Sequence, residues 1–194
     1  MAVVGASFTA GAGAERADSG WAHLLAGQLG WRAEIDGVSG SGFMVPGQGG
    51  LGPIDHQLAR LDLPGTSPDL VIIQSGHNDV GQPGPQLAST VGDTLHRVRA
   101  AAPAARVALM TVFTTGQVPD PASAAADAVI VSAARSADPG VIVMDPLQEG
   151  WRFSTIGDGL HPDQAGHRWI AQRAAEELWN AGVRPYRATC PLVG

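Results

Sequence analysis

Five short apolar runs, at residues 2–5, 33–38, 70–74, 107–112 and 141–144, constrain this chain more than any other feature. Each has the length of a buried strand and is too short for a helix. Stretches with helical spacing separate them. Residues 19–29 set Trp21, Leu24, Leu25 and Leu29 on one side, and 53–61 form a shorter candidate. Residues 86–101 repeat Leu87, Val91, Leu95 and Val98, while 122–137 are Ala-rich and broken by Asp138-Pro139-Gly140. A last stretch, 163–180, carries Ile170, Ala174, Leu178 and Trp179. This strand–helix alternation predicts a parallel sheet covered by helices on both faces. No repeat and no linker divides the chain, so residues 1–194 are expected to form a single domain.

Charge narrows the partners. The basic residues are all Arg, and 12 of them against 18 acidic residues leave a net charge of −6. That balance disfavours nucleic acid or an anionic membrane surface as the main partner and does not hinder neutral substrates. No run of about 18 apolar residues exists, so no membrane span is expected. Cys190 is the only cysteine, which excludes an internal disulfide but leaves the compartment open. The chain begins without a basic leader region and enters strand-like sequence at once. It is therefore read as cytoplasmic as written, or as secreted if a leader or preceding domain has been removed. Neither the oligomeric state nor the role of the tail, 183–194 with its two prolines, is legible.

In an open α/β sheet, ligands bind beyond the carboxyl ends of the strands. Ser7 follows the first run, Gly40 the second and Asn78 the third; His161 follows the fifth through a long loop. The Gly-rich segment 39–52 reads as a functional loop, and 114–121 as a second long connection. A serine hydroxyl becomes a useful nucleophile only when a base takes its proton. Asp158-Gly159-Leu160-His161-Pro162 offers that base, with a carboxylate three residues earlier able to reach its Nδ1. Pro162 disfavours helical geometry at His161 and fits the first turn of the last helix, so His161 should project from a loop. Ser7 alone would read as a turn or cap serine, and Ser39, Ser41 and Ser75 compete with it. Thr9 rules out the Gly-x-Ser-x-Gly elbow.

Asn78, in Gly76-His77-Asn78-Asp79, could donate to a developing oxyanion or merely make a turn. The segment Gly37-Val38-Ser39-Gly40-Ser41-Gly42 could present a backbone N–H to the same oxyanion. As a phosphate loop it fails, since no Lys follows. Gly11 and Gly13 lack the third glycine of a dinucleotide fingerprint. His167, six residues after His161, does not match the i, i+4 spacing of helical zinc sites and reads as a packing or surface histidine.

Taken in order, these blocks resemble the SGNH, or GDSL-type, hydrolase family over about residues 2–181. Gly5-Ala6-Ser7 stands where the family usually has Gly-Asp-Ser, and Gly40 aligns with its oxyanion glycine. Asn78 aligns with its oxyanion asparagine, and Asp158 with His161 matches its Asp-x-x-His. The resemblance implies a flavodoxin-like three-layer α/β/α fold with a five-stranded parallel sheet. It implies Ser7 as nucleophile, His161 as general base and then acid, and Asp158 as its orienter. The Ser7 and Gly40 N–H groups and the Asn78 side chain would form the oxyanion hole, and no metal or organic cofactor is implied. Ala6, in place of the usual aspartate, should loosen the Ser7 or Gly40 loop.

The expected activity is a serine esterase acting on small acyl esters, acetyl or short-chain, with carbohydrate deacetylation among the options that the Gly-His-Asn-Asp block suggests. The lack of a long apolar lid segment argues against long-chain lipids. Phe43 and Met44, beside Gly40, are candidate substrate-pocket walls, with Trp31 and Trp151 as further ones. Two alternatives stay open: an acyltransferase using the same triad, and a non-catalytic binding domain that keeps the fold.

Overall fold

A computed structural model describes residues 1–113 and 120–185. The strands are β1 (Ala2–Gly5), β2 (Glu34–Gly37), β3 (Leu70–Gln74), β4 (Arg106–Met110) and β5 (Ile142–Met144). They form one sheet in the order β2-β1-β3-β4-β5, and every neighbouring pair is parallel. The helices are α1 (Trp21–Leu29), α2 (Ile54–Arg60), α3 (Leu63–Thr66), α4 (Gly84–Ala101), α5 (Pro121–Ala137) and α6 (Gln164–Asn180). None of them is long and apolar enough to cross a membrane. The expected connection at 114–121 falls largely outside the described residues, as do most of the tail and Cys190.

Alternation along each strand divides the core into two layers. Val4, Val71, Ile73, Val107 and Leu109 face α2–α5, where they meet Leu58, Leu87, Leu95 and Ile130. Val3, Leu70, Ile72, Ala108 and Met110 face α1 and α6, where they meet Trp21, Leu25, Ile170 and Leu178. Because β1, β3 and β4 are buried on both faces, they read as continuous apolar runs, as parallel strands do. β2 pairs only with β1 and remains partly exposed, which shortens it relative to the expected 33–38. β4 ends at Met110 instead of 112, yet Thr111 and Val112 stay fully buried.

Register sets the site. Gly5 lies opposite both Gly37 and Gln74, and Gln74 opposite Met110, so the carboxyl ends of β2, β1, β3 and β4 finish level. The strand order reverses between β1 and β3, and a crevice forms at that switch point.

Helix ends follow local chemistry. Asp163 caps α6 by accepting the Gly166 N–H at 2.8 Å, so the helix starts after Pro162 and Pro162 lies outside its first turn. Asp62 caps α3 through Gly65, and Pro64 occupies its first turn; this helix was not expected from the apolar pattern, which stops at Leu61. α6 is tied to the segment after β1 by His167, fully buried, whose Nδ1 accepts the Trp21 N–H at 3.1 Å while Nε2 donates to the Ala12 carbonyl at 3.0 Å.

The bond from Trp21 requires a neutral ring, because imidazolium has no acceptor. Burial lowers the His167 pKa below its ordinary value, about 6.5. As pH falls, the unfolded chain takes up this proton before the folded one does. The stabilisation is therefore complete above about pH 6.5 and is lost as pH drops toward the folded-state pKa. In urea denaturation across this range, His167→Gln is expected to be less stable than wild type at neutral pH and to lose less stability on acidification. Parallel pH slopes for the two proteins would contradict the assignment.

Candidate active site

The chain leaves β1 and coils at once: Ala10 N–H bonds to the Ala6 carbonyl at 2.9 Å and Ala12 N–H to the Ser7 carbonyl at 2.9 Å. Ser7 stands at the mouth of this coil. The buried Gln74 side chain holds the turn from beneath, its Oε1 accepting from Ala6 N–H at 3.2 Å, Thr9 N–H at 3.3 Å and Thr9 Oγ1 at 2.9 Å. Gln57, also buried, accepts from Gly5 N–H at 2.9 Å and donates to Ser41 Oγ at 2.8 Å, which joins β1 to the Gly-rich loop.

That loop closes on itself through Gln48 N–H to the Ser39 carbonyl at 2.8 Å and Gly42 N–H to the Val45 carbonyl at 2.9 Å. Gly40 has φ of 76°, a left-handed conformation that a side chain would strain. Beneath it lies Asp79, fully buried, whose two carboxylate oxygens accept Phe43 N–H at 2.8 Å and Met44 N–H at 2.9 Å. Gly42 passes so close that a Cβ there would lie 2.5 Å from both carboxylate oxygens. Burial raises the Asp79 pKa, and the two N–H groups oppose that rise. The loosening expected from Ala6 therefore meets ties made by Gln57, Gln74 and Asp79.

Asn78 donates from Nδ2 to the Ser41 carbonyl at 2.8 Å. A carbonyl only accepts, so this bond fixes which end of the amide is nitrogen. The second Nδ2 hydrogen is left over. Among the described residues the Ser7 and Gly40 N–H groups have no hydrogen-bond partner. All three residues line one cavity of about 370 Å³.

His161 completes the arrangement. Its Nδ1 lies 2.6 Å from Asp158 Oδ2, and its Nε2 lies 2.9 Å from Ser7 Oγ. Asp158 also accepts the backbone N–H groups of Leu160 at 2.9 Å and His161 at 3.0 Å. The His161 side-chain bond first, and these N–H groups after it, lower the Asp158 pKa to about 2. Asp158 is thus ionised wherever a histidine can be neutral, and an ionised carboxylate accepts only. The proton must then sit on Nδ1, leaving the Nε2 lone pair to accept from the Ser7 hydroxyl. Phe8 packs 5.7 Å from the imidazole and stacks on Phe113 at 4.2 Å, which supports the ring from behind.

The sequence-derived set Ser7, Gly40, Asn78, Asp158 and His161 thus meets at one edge of the sheet. Phe43 and Met44 do not line this cavity, contrary to expectation. Their N–H groups turn to Asp79, and their side chains pack into or against the core, Phe43 being only 1% exposed. Trp31 and Trp151 pack in the layer of α1 and α6. The cavity is lined instead by Phe8, Gln48, His77 and Leu160, among others. His77 was visible only as the neighbour of Asn78; Gln57 and Gln74 gave no signal, because the Gly5 and Ala6 amides they bond are more than 50 residues away. A larger groove of about 980 Å³ between α4 and α5 shares no lining residue with this cavity.

The model of the GDSL-like lipase/acylhydrolase family matches residues 3–169. The chain is 31% identical over 189 residues to the GDSL lipase Rv0518 of Mycobacterium tuberculosis, covering 90% of this chain and 79% of that protein. Among solved structures, TesA superposes with a TM-score of 0.70 at 24% identity, over 93% of this chain and 98% of that one. A family two carbohydrate esterase from Clostridium thermocellum, solved with cellohexaose, gives a TM-score of 0.69 at 22% identity. That match covers 92% of this chain but only 63% of the esterase. At these identities the two structures share the fold.

Removing the Asp79 carboxylate strands two N–H groups, at a cost of about 1–3 kcal/mol for each buried group left unpaired. Asp79→Ala is therefore expected to lower stability by about 2 kcal/mol or more and to speed amide hydrogen exchange at Phe43 and Met44. Unchanged exchange at these two amides would show that the loop is held by other means.

Proposed function

The chain belongs to the GDSL-like lipase/acylhydrolase family of hydrolases, and on that premise we propose that it is a serine esterase cleaving small acyl esters, acetyl or short-chain, through an acyl-serine intermediate. One observation carries the reading: the unbroken line from Asp158 through His161 to Ser7, at 2.6 and 2.9 Å. It supports a working enzyme over a binding domain that keeps the fold, since binding alone needs no polarised serine.

Chemistry proceeds from these positions. His161 Nε2 takes the Ser7 proton as Oγ attacks the ester carbonyl, and Asp158 stabilises the resulting imidazolium. Negative charge gathers on the former carbonyl oxygen, where the Ser7 and Gly40 N–H groups and the second Asn78 Nδ2 hydrogen are free to receive it. The imidazolium returns its proton to the departing alkoxide, leaving acyl-Ser7. Water then enters and attacks the acyl carbon as His161 takes its proton; the second tetrahedral species collapses with the imidazolium returning that proton to Ser7 Oγ, which releases the acid and free serine.

A cavity of about 370 Å³ suits a short acyl group on a small alcohol better than a long chain. Carbohydrate deacetylation is supported by the fold shared with the Clostridium thermocellum esterase and by the polar lining contributed by Ser39, Gln48, His77 and Asn78.

With 4-nitrophenyl acetate, wild type is expected to release a burst of nitrophenol equal to the enzyme present, or to turn over steadily if deacylation is fast. Ser7→Ala should do neither while retaining its unfolding transition; normal turnover in that variant would sink the assignment. Asn78→Ala should lower kcat by roughly 100- to 1,000-fold, as loss of one oxyanion donor does. A drop confined to KM would remove Asn78 from that role.

A further inference from the structure

One polar group in the Ser7 cavity has no part in the mechanism above. His77, half-buried between Gly76 and Asn78, lines the cavity together with Ser7 and His161. Its Nδ1 lies 3.2 Å from the Phe113 carbonyl. A carbonyl only accepts, so Nδ1 must carry the hydrogen. Burial, and after it the nearby His161 charge, lower the pKa of His77, against the raising effect of the Phe113 bond and of Asp120. The ring is therefore neutral, and the imidazolium that forms on His161 during catalysis only keeps it so. A neutral ring with its proton on Nδ1 has a lone pair on Nε2, the nitrogen diverging from the Phe113 bond. Among the described residues nothing donates to that nitrogen.

We propose that His77 is a specificity-determining residue whose Nε2 accepts a hydrogen bond from a free hydroxyl on the substrate's alcohol, selecting esters of polyhydroxylated alcohols such as partially acylated sugars. The inference rests on the serine-esterase reading. A short acyl chain carries no hydroxyl, so the donor must belong to the alcohol. Three polar groups of the cavity are committed in that reading, His161 to the Ser7 proton and Asn78 Nδ2 and the Gly40 N–H to the oxyanion, while Ser39 and Gln48 complete its polar lining. Ser39 and Gln48 can each donate or accept and so turn to suit either partner, whereas the Phe113 bond leaves His77 Nε2 able only to accept, which makes it the fixed acceptor on this wall. A site built to bond a hydroxyl disfavours an analogue without it, because its own polar group is left unpaired.

The test compares methyl 2-O-acetyl-β-xylopyranoside with its 3-deoxy analogue, and 4-nitrophenyl acetate with both, in wild type, His77→Phe and His77→Gln. Wild type is expected to favour the hydroxylated ester by about tenfold in kcat/KM, the value of one hydrogen bond. His77→Phe should lose that preference while still cleaving 4-nitrophenyl acetate, and His77→Gln, which keeps an acceptor, should retain part of it. If His77→Phe does not fold, the preference of wild type and its reduction in His77→Gln decide. No preference in wild type, or full preference in either variant, overturns the inference and leaves the esterase reading in place. Failure of wild type to cleave any of the three esters overturns both.

Discussion

A hydrogen bond between Ser7 and His161, 154 residues apart, is the contact on which the site depends. It exists because two things are fixed independently. The level register of β1 with β3 brings the chain off the sheet at Ser7, beside Asn78. The packing of α6, held by Ile170 and Leu178 in the core and by His167 on the Ala12 carbonyl, delivers His161 to the same edge. A shift of about 1 Å in either would break a 2.9 Å bond, so the precision of the site is that of the core beneath it.

The oxyanion side depends on buried polar groups of a different kind. Gln57, Gln74 and Asp79 are almost wholly buried, and each makes at least two hydrogen bonds to backbone or side chains around the site. Burying such groups is costly unless they are satisfied. Satisfied, they tie down the turn after β1 and the Gly-rich loop, in which the Ser7 and Gly40 N–H groups have no partner among the described residues and are left for the proposed oxyanion. Rigid donors that need not reorganise are what makes an oxyanion hole effective. At Ala6, where no acidic side chain is present, Gln74 accepts from the Ala6 and Thr9 amides directly from the neighbouring strand.

Most of the fold was legible because it rests on local pattern. The runs at Ala2–Gly5 and Leu70–Gln74 are strands over their whole expected length, since both strands are central and fully buried. Edge positions were less legible: β2 is shorter than its apolar pattern, because its length depends on a single neighbour. α3 was missed because its cap, Asp62, holds only one turn. In the site, residues next to strand ends could be placed by topology, which brought Ser7, Gly40, Asn78 and His161 to one edge. Phe43 and Met44 were misplaced because nearness to Gly40 in sequence says nothing about side-chain direction; that is set by Asp79, 35 residues away from Met44. His77 was passed over for the same reason, since its tautomer is decided by the Phe113 carbonyl.

The central claim is that Ser7 is activated by His161. It is tested most directly by mass spectrometry of the protein after exposure to a fluorophosphonate probe, with the adduct localised by peptide mapping. The account predicts a single adduct on Ser7, absent in Ser7→Ala and strongly slowed in His161→Ala. An adduct on another serine, or labelling of Ser7 at the same rate without His161, would contradict it.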